Sequence, residues 1–185
     1  MPVFRKLLPA ELPQYRAHLL RLDRADRHAR FTGTVSDETI AKHCAKLDWG
    51  RTILLGAFDQ GELRGAVEIC TDRLLWPHEA ELAISVETGL QGRRVGTTLV
   101  RRALAVATNR GIRRVHMMCL SDNVRMRGLS RKFGGRMSLQ DGEIAVAFDL
   151  PRPSQFSVAV EALEDGAGAV NAMLDTLPAI LKAAA

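Results

Sequence analysis

Between Arg51 and Glu87 the apolar residues change their period, and that change constrains the fold more than anything else in the chain. Upstream, Leu12, Tyr15, Leu19, Leu20 and Leu22, and then Ile40, Cys44 and Leu47, recur at helical spacing. From Arg51 onward come three short runs rich in β-branched residues, "RTILLGAFD", "LRGAVEICTD" and "AELAISVE". The first two are separated by "DQGE", a hairpin turn with glycine where positive φ is required. The helical period returns from about Val95 to Arg110 and is closed by Gly111, a residue suited to a left-handed C-cap. "RRVHMMCL" then reads as a strand, "NVRMRGLSRKF" as a helix and "GRMSLQDGEIAVAFDL" as a hairpin turning at Asp141-Gly142. With a first strand in "VFRKLL" and a helix opened by Ser36 in "VSDETIAKHCAKL", the order is strand, two helices, three antiparallel strands, helix, strand, helix, hairpin. "AELAISVE" and "RRVHMMCL" are joined by a crossover helix, so they are expected to run parallel. The expected fold class is α/β, a mixed and mostly antiparallel sheet of about seven strands flanked by helices.

"PRPS" (Pro151 to Ser154) marks an expected boundary, with residues 1–150 as one domain and 151–185 as a linker and helical extension. In that extension Val170, Met173, Leu174, Leu177 and Leu181 fall on one stripe, and Pro178 is expected to kink or restart the helix. The stripe suits packing on the body, or on a second subunit in a homodimer.

The charge is uneven. Of a net +5, the segment from Pro151 holds Arg152 and Lys182 against Glu161, Glu164, Asp165 and Asp175. The first 150 residues are left with 24 basic and 17 acidic residues, a net of +7. Such a body attracts an anionic small molecule or a polyanion. Nucleic acid is disfavoured, because the few aromatic residues do not interleave with the arginines. Cys44, Cys70 and Cys119 are widely spaced without CxxC pairing, which suits a reducing cytoplasm and gives neither a disulfide framework nor a metal site. No apolar run reaches membrane-spanning length and no signal-peptide core is seen, so the expected location is cytoplasmic.

The stretch most suggestive of chemistry is "TGLQGRRVGTTLVRRAL" (Thr88 to Leu104), a polar loop that runs into a helix. A helix opening at Val95 leaves its first N–H groups unpaired at the positive end of its dipole, which makes an anion seat. Gly92 and Gly96 clear the approach, and Arg93 and Arg94 add charge. The loop is neither a nucleotide-triphosphatase phosphate loop, since Gln91 and Thr97 stand where that motif needs Gly and Lys, nor a GxGxxG dinucleotide fingerprint.

Its position after the third antiparallel strand resembles the GNAT superfamily of N-acetyltransferases, whose signature is [Q/R]-x-x-G-x-[G/A] at a helix start. Gln91-Gly92-Arg93-Arg94-Val95-Gly96 matches at Gln91 and Gly96 and departs at Arg94, where the signature has Gly. An arginine there is compatible with the cofactor if its backbone stays at negative φ. About 30 residues on, "NVRMRGLSRKFGG" is similar to the family's second segment at Asn123, Leu129, Lys132 and Gly134. The resemblance covers roughly Val3 to Leu150. It implies acetyl-CoA as co-substrate, with its pyrophosphate on the N–H groups from Gln91 to Gly96 and Thr97 beside them. It also implies a pantetheine arm along Ile84 to Val86, Asn123 facing that arm, and the adenosine phosphate near Arg93, Arg101, Arg127 or Arg131.

Amine acetylation needs a base for the amine and a donor for the leaving sulfur. Glu81, on the strand leading into the loop, is the candidate base. Its "AE-x-A-x-x-V…QG" context and the "RFTGTVSDE" segment are similar to bacterial protein-lysine acetyltransferase domains. The polar face of a half-exposed strand gives the same pattern, and Glu68 and Glu79 are alternative bases. The family's tyrosine acid is replaced by Ser130, and the chain's one tyrosine is Tyr15. His116 alternates into a strand, where packed or surface histidines are common. The acceptor is expected to be a primary amine, on a small molecule or a protein lysine, in an acidic pocket drawn from Asp23, Asp26, Asp37 and Glu38. A non-catalytic acyl-CoA-binding module is the alternative.

Overall fold

β1 (Val3–Lys6) enters at the edge of a seven-stranded sheet whose order is β1-β2-β3-β4-β5-β7-β6. The computed structural model describes residues 2–183, with side chains as far as Ala172. β2 (Thr52–Asp59) and β3 (Glu62–Thr71) form the hairpin expected from "DQGE", with Gln60 and Gly61 at φ 52° and 79°. Two successive positive φ values make the turn whose twist matches the strands it joins. β4 (Glu79–Val86) lies antiparallel to β3, and β5 (Arg114–Leu120) parallel to β4. β6 (Arg136–Gln140) and β7 (Glu143–Asp149) close the sheet around Asp141 and Gly142, both at positive φ.

Both faces are covered, which explains why β2 reads as a continuous apolar run rather than an alternating one. On one face α4 (Val95–Asn109) sets Leu99, Val100, Ala103 and Val106 against Leu55, Val67, Leu82, Val115 and Phe148, and α5 (Val124–Lys132) flanks it through Met126 and Leu129. On the other face α1 (Leu12–Arg21) and α3 (Asp37–Ala45) place Tyr15, Leu19, Ile40 and Cys44 against Leu54, Phe58 and Ala66.

A helix absent from the order read in the sequence lies between α1 and α3: α2 spans Arg24–Phe31. Asp23 caps it, its carboxylate accepting from the Asp26 N–H at 2.7 Å. "RADRHARF" buries no residue fully, so it lacks the apolar stripe by which the other helices announce themselves.

After the irregular stretch at residues 151–154, α6 (Gln155–Ala183) lies against β1 and α4 of the same chain. Lys6 reaches Glu161 and Asp165, each at 2.5 Å, and Arg102 pairs with Glu164 at 2.9 Å. The contact is close enough that a Cβ on Gly168 would stand 2.7 Å from that of Arg5. Phe156, Leu163 and Val170 remain exposed. The stripe from Met173 onward and the side chain of Pro178 lie outside the described residues. Among the described residues no helix is long and apolar enough to cross a membrane.

Candidate functional site

β4 and β5 are paired for only three residues, ending at Glu81 opposite His116. Beyond that point β5 takes its hydrogen bonds from β7, and the edge of β4 from Leu82 to Val86 is left without a strand partner on that side. A cleft of about 530 Å³ fills the gap, bounded by Ala83 to Val86, Met117 to Cys119, the loop at Gln91 to Thr97, and α5. Because strand side chains alternate, Ala83 and Ser85 face α1 and α2 while Ile84 and Val86 face α4 and α5. The cleft therefore passes through the sheet.

The loop at its mouth is held by Gln91. Its side-chain amide donates to the Asp26 carboxylate at 2.8 Å and to the Val86 carbonyl at 2.9 Å, and its oxygen accepts from Arg125. The Gln91 N–H is itself spent on the Thr88 carbonyl. None of the N–H groups from Gly92 to Thr97 has a close, well-aligned acceptor within the described chain. Six donors at a helix N-terminus, at the mouth of a cleft, are the arrangement to which an anion is attracted.

Gly92 sits at φ 74°, and a Cβ there would meet nothing within 4 Å, so its need is conformational. Arg94 also lies in the left-handed region, at φ 62° and ψ 8°. Negative φ, the condition attached to an arginine at this position, is therefore not met. The turn demands the conformation a glycine adopts freely, and the chain places an exposed arginine in it at a cost of roughly 1–2 kcal/mol. Arg94→Gly is expected to stabilise the protein by about 0.5–1 kcal/mol after the added flexibility of the unfolded chain is deducted. The urea midpoint measures this.

Ile84, Val86, Gln91, Gly92, Arg94, Val95, Gly96, Thr97 and Asn123 all line the cleft. Arg93 and Arg127 do not, and Arg127 instead donates to the Ser121 carbonyl. Arg101 is paired with Glu164 on α6. The cations at the cleft are Arg30, whose guanidinium is paired with Glu68, and Arg94, Arg125 and Lys132. Of these, Arg125 was not anticipated from sequence, although its place in the first turn of a helix beside the loop was the available signal. Asn123 caps α5, accepting from the Met126 N–H at 3.1 Å.

Glu81 is exposed and borders a smaller cavity with Arg51, Asp72, Glu79 and His116. Met117 and Met118 line both cavities, so Glu81 stands beside the vertex where the strands part. Glu79 faces His116 at 3.4 Å. Glu68 is half-buried and already engaged: Tyr15, Arg30 and His43 approach one of its carboxylate oxygens at 2.8, 2.7 and 3.0 Å. Burial alone would raise its pKa, but the hydrogen bond from His43 and the Arg30 charge hold it below the ordinary carboxylate value. Ser130 is not brought to the cleft. It is 0% exposed and its hydroxyl donates to the Met126 carbonyl at 2.7 Å, one helical turn back. Asp37 and Glu38 are likewise not brought to an acceptor pocket, being paired on the surface with Arg27 and Lys42. Among the described residues no group of His, Cys, Asp and Glu could hold a metal ion.

A second buried group was missed. His18 occupies the apolar stripe of α1 and bonds Ser85 on β4 and Glu87 just past the end of that strand. The signal was a histidine at helical spacing between Tyr15 and Leu22, opposite a strand that keeps Ser and Glu on one face.

A mixed sheet whose fourth and fifth strands part over a helix-terminal anion seat defines an acyltransferase-type architecture. The model of the acetyltransferase (GNAT) family matches residues 16–134, and the chain belongs to that family. Its fold is similar to that of the GNAT domain of PAT from S. lividans, at 23% identity and a TM-score of 0.68 over 80% of this chain and 89% of that one. A GNAT-family acetyltransferase from Streptococcus pneumoniae matches at 19% identity and TM-score 0.65, covering 82% of this chain and 100% of that one. The PaiA N-acetyltransferase from Thermoplasma acidophilum, solved with coenzyme A, matches at 18% identity and TM-score 0.62, over 80% and 99% of the two chains.

Proposed function

We propose that the chain is an N-acetyltransferase that moves acetyl from acetyl-CoA directly to a primary amine of a small molecule or a protein lysine. The observation that carries this reading is the cleft itself: unpaired donors from Gly92 to Thr97 at one end and the unpaired edge of β4 along its side. The pyrophosphate would sit on those donors, with Arg94, Arg125 and Lys132 offering countercharge. The extended, amide-bearing arm would add to β4 from Ile84 to Val86 as a peptide adds to a sheet edge. The complex of coenzyme A with the similar PaiA enzyme supports the choice of cofactor.

Glu81 is the base of this proposal, since it stands exposed at the vertex on the face opposite α4, where an amine can arrive without displacing the cofactor. Asp72 and Glu79 in the same cavity favour a cationic acceptor. No side-chain acid is assigned to the leaving sulfur; Ser130 is spent on its own helix, and a CoA thiolate leaves tolerably near neutral pH. The same observation favours a second reading, a cofactor-binding module without turnover, because Tyr15 is also buried and bonded to Glu68.

Calorimetric titration with acetyl-CoA, followed by assays on amines and lysine peptides, separates the two. Glu81→Gln is expected to keep CoA affinity and lower kcat by roughly 10²-fold or more. Unaltered turnover in that variant would remove Glu81 from the mechanism, and no binding by the parent would remove the transferase reading.

A further inference from the structure

The buried group on α1 and β4 contains a nucleophile, a base and an orienting carboxylate in line. Ser85 Oγ lies 2.8 Å from His18 Nε2, and His18 Nδ1 lies 3.0 Å from Glu87 Oε1. Ser85 borders the cleft and is 7% exposed, whereas His18 behind it is 0% exposed. The serine hydroxyl is thus the one member through which the imidazole meets the cleft.

The direction of each bond follows from charge. Glu87 also accepts from Arg21 Nε at 3.0 Å and from Arg64 Nη1 at 2.8 Å. Burial would raise its pKa, but the bonds from His18 and Arg64 bring it down to about 2, so it is a carboxylate and can only accept. His18 Nδ1 must then carry the proton. Burial outweighs the pull of Glu87 and pushes the His18 pKa below its ordinary value, so the ring is neutral and Nε2 is an acceptor. The Ser85 hydroxyl is left as the donor to His18, the arrangement of a serine primed for attack.

We propose that Ser85, His18 and Glu87 give the chain a second activity, hydrolysis of an acyl thioester through an acyl-serine on Ser85 when no amine is bound. This rests on the cofactor reading above, which lays the thioester along the edge of β4. Ser85 Oγ attacks the thioester carbonyl carbon as its proton passes to His18 Nε2. The C–S bond breaks, and the departing sulfur takes that proton as free thiol. Water then gives a proton to His18 and its oxygen to the acyl carbon, the carbon–Oγ bond breaks, and Ser85 recovers its hydrogen with release of the carboxylic acid. The amide groups that β4 turns toward the gap have no strand partner there and are available to the oxyanion.

The test uses the whole chain, with acetyl-CoA and no amine, followed by free-thiol release and the mass of acid-quenched protein. The wild type is expected to release thiol and carry one acetyl group mapped to Ser85. Ser85→Ala is expected to lose the adduct and lower thiol release at least tenfold, and Ser85→Cys to hold a longer-lived adduct. His18→Gln is expected to lower loading by roughly 10²-fold, beyond what a bracing role would give. Circular dichroism and calorimetric CoA binding check that the variants fold. p-Nitrophenyl acetate, which needs no cofactor seat, is the second probe. If it loads Ser85 in a protein that does not bind CoA, the array stands and the cofactor reading falls. If CoA binds but neither reagent loads Ser85, and Ser85→Ala leaves thiol release unchanged, the group is only a brace between α1 and β4 and the proposal is overturned.

Discussion

Gly96→Glu is expected to abolish coenzyme A binding, raising Kd at least 100-fold in a calorimetric titration while the protein stays folded. A Cβ placed on Gly96 would lie 3.8 Å from Ile84 Cδ1 and 3.9 Å from both Leu129 Cδ2 and Val86 Cγ2. Those are ordinary contact distances, so the backbone tolerates a side chain, and Gly96→Ala is expected to fold and to lose affinity only mildly. The three neighbours belong to β4 and α5, the two walls of the cleft, so a longer side chain grows into the space between them. A carboxylate there fills the approach and sets a fixed negative charge on donors that otherwise receive an anion. Two orders of magnitude correspond to about 2.7 kcal/mol, a modest demand for steric and charge exclusion acting together. Affinity equal to the parent's would mean that the anion seat lies elsewhere.

Glu68→Ala is expected to cost about 3–5 kcal/mol of stability and roughly 10 °C in Tm, a loss of scaffold rather than of chemistry. One oxygen of Glu68 takes hydrogen bonds from Tyr15, Arg30 and His43, three residues drawn from three different helices. The side chains of Arg30 and Glu68 are 7% and 12% exposed. Truncation strands the guanidinium in a site built for an ion pair, and the charge left behind dominates the cost. Arg30 also borders the cleft, so loosening α2 would reach the loop through the bond between Asp26 and Gln91. Thermal melting beside activity at low temperature separates the roles. A stable but inactive Glu68→Ala would make Glu68 a participant in the reaction instead of a support.

The two carboxylates on β3 and β4 show where reading from residues stops. Glu68 and Glu81 both alternate into strands as half-buried acids do, and both were candidates for the base. Glu68 differs because residues far away in the chain, at positions 15, 30 and 43, converge on it. Ser130 repeats the lesson: its place in the motif is right, but its hydroxyl turns back to Met126. Arg94 adds a third case, since nothing in the string "QGRRVG" fixes the sign of a dihedral angle.

The strands, the two tight hairpins, the parallel pairing of β4 with β5 and the helix that opens beyond Gly92 were set by the sequence alone. Each depends on hydrophobic period, turn chemistry or crossover handedness, which are properties of neighbouring residues. The helical state of α2, the cations that reach the cleft, the burial of Ser130 and the line from Glu87 through His18 to Ser85 were decided only by the tertiary structure. Each of these depends on which distant side chains meet, and on how much water remains between them. No local spacing encodes that, because the energy of a charge or a hydroxyl is fixed by its partners and its burial.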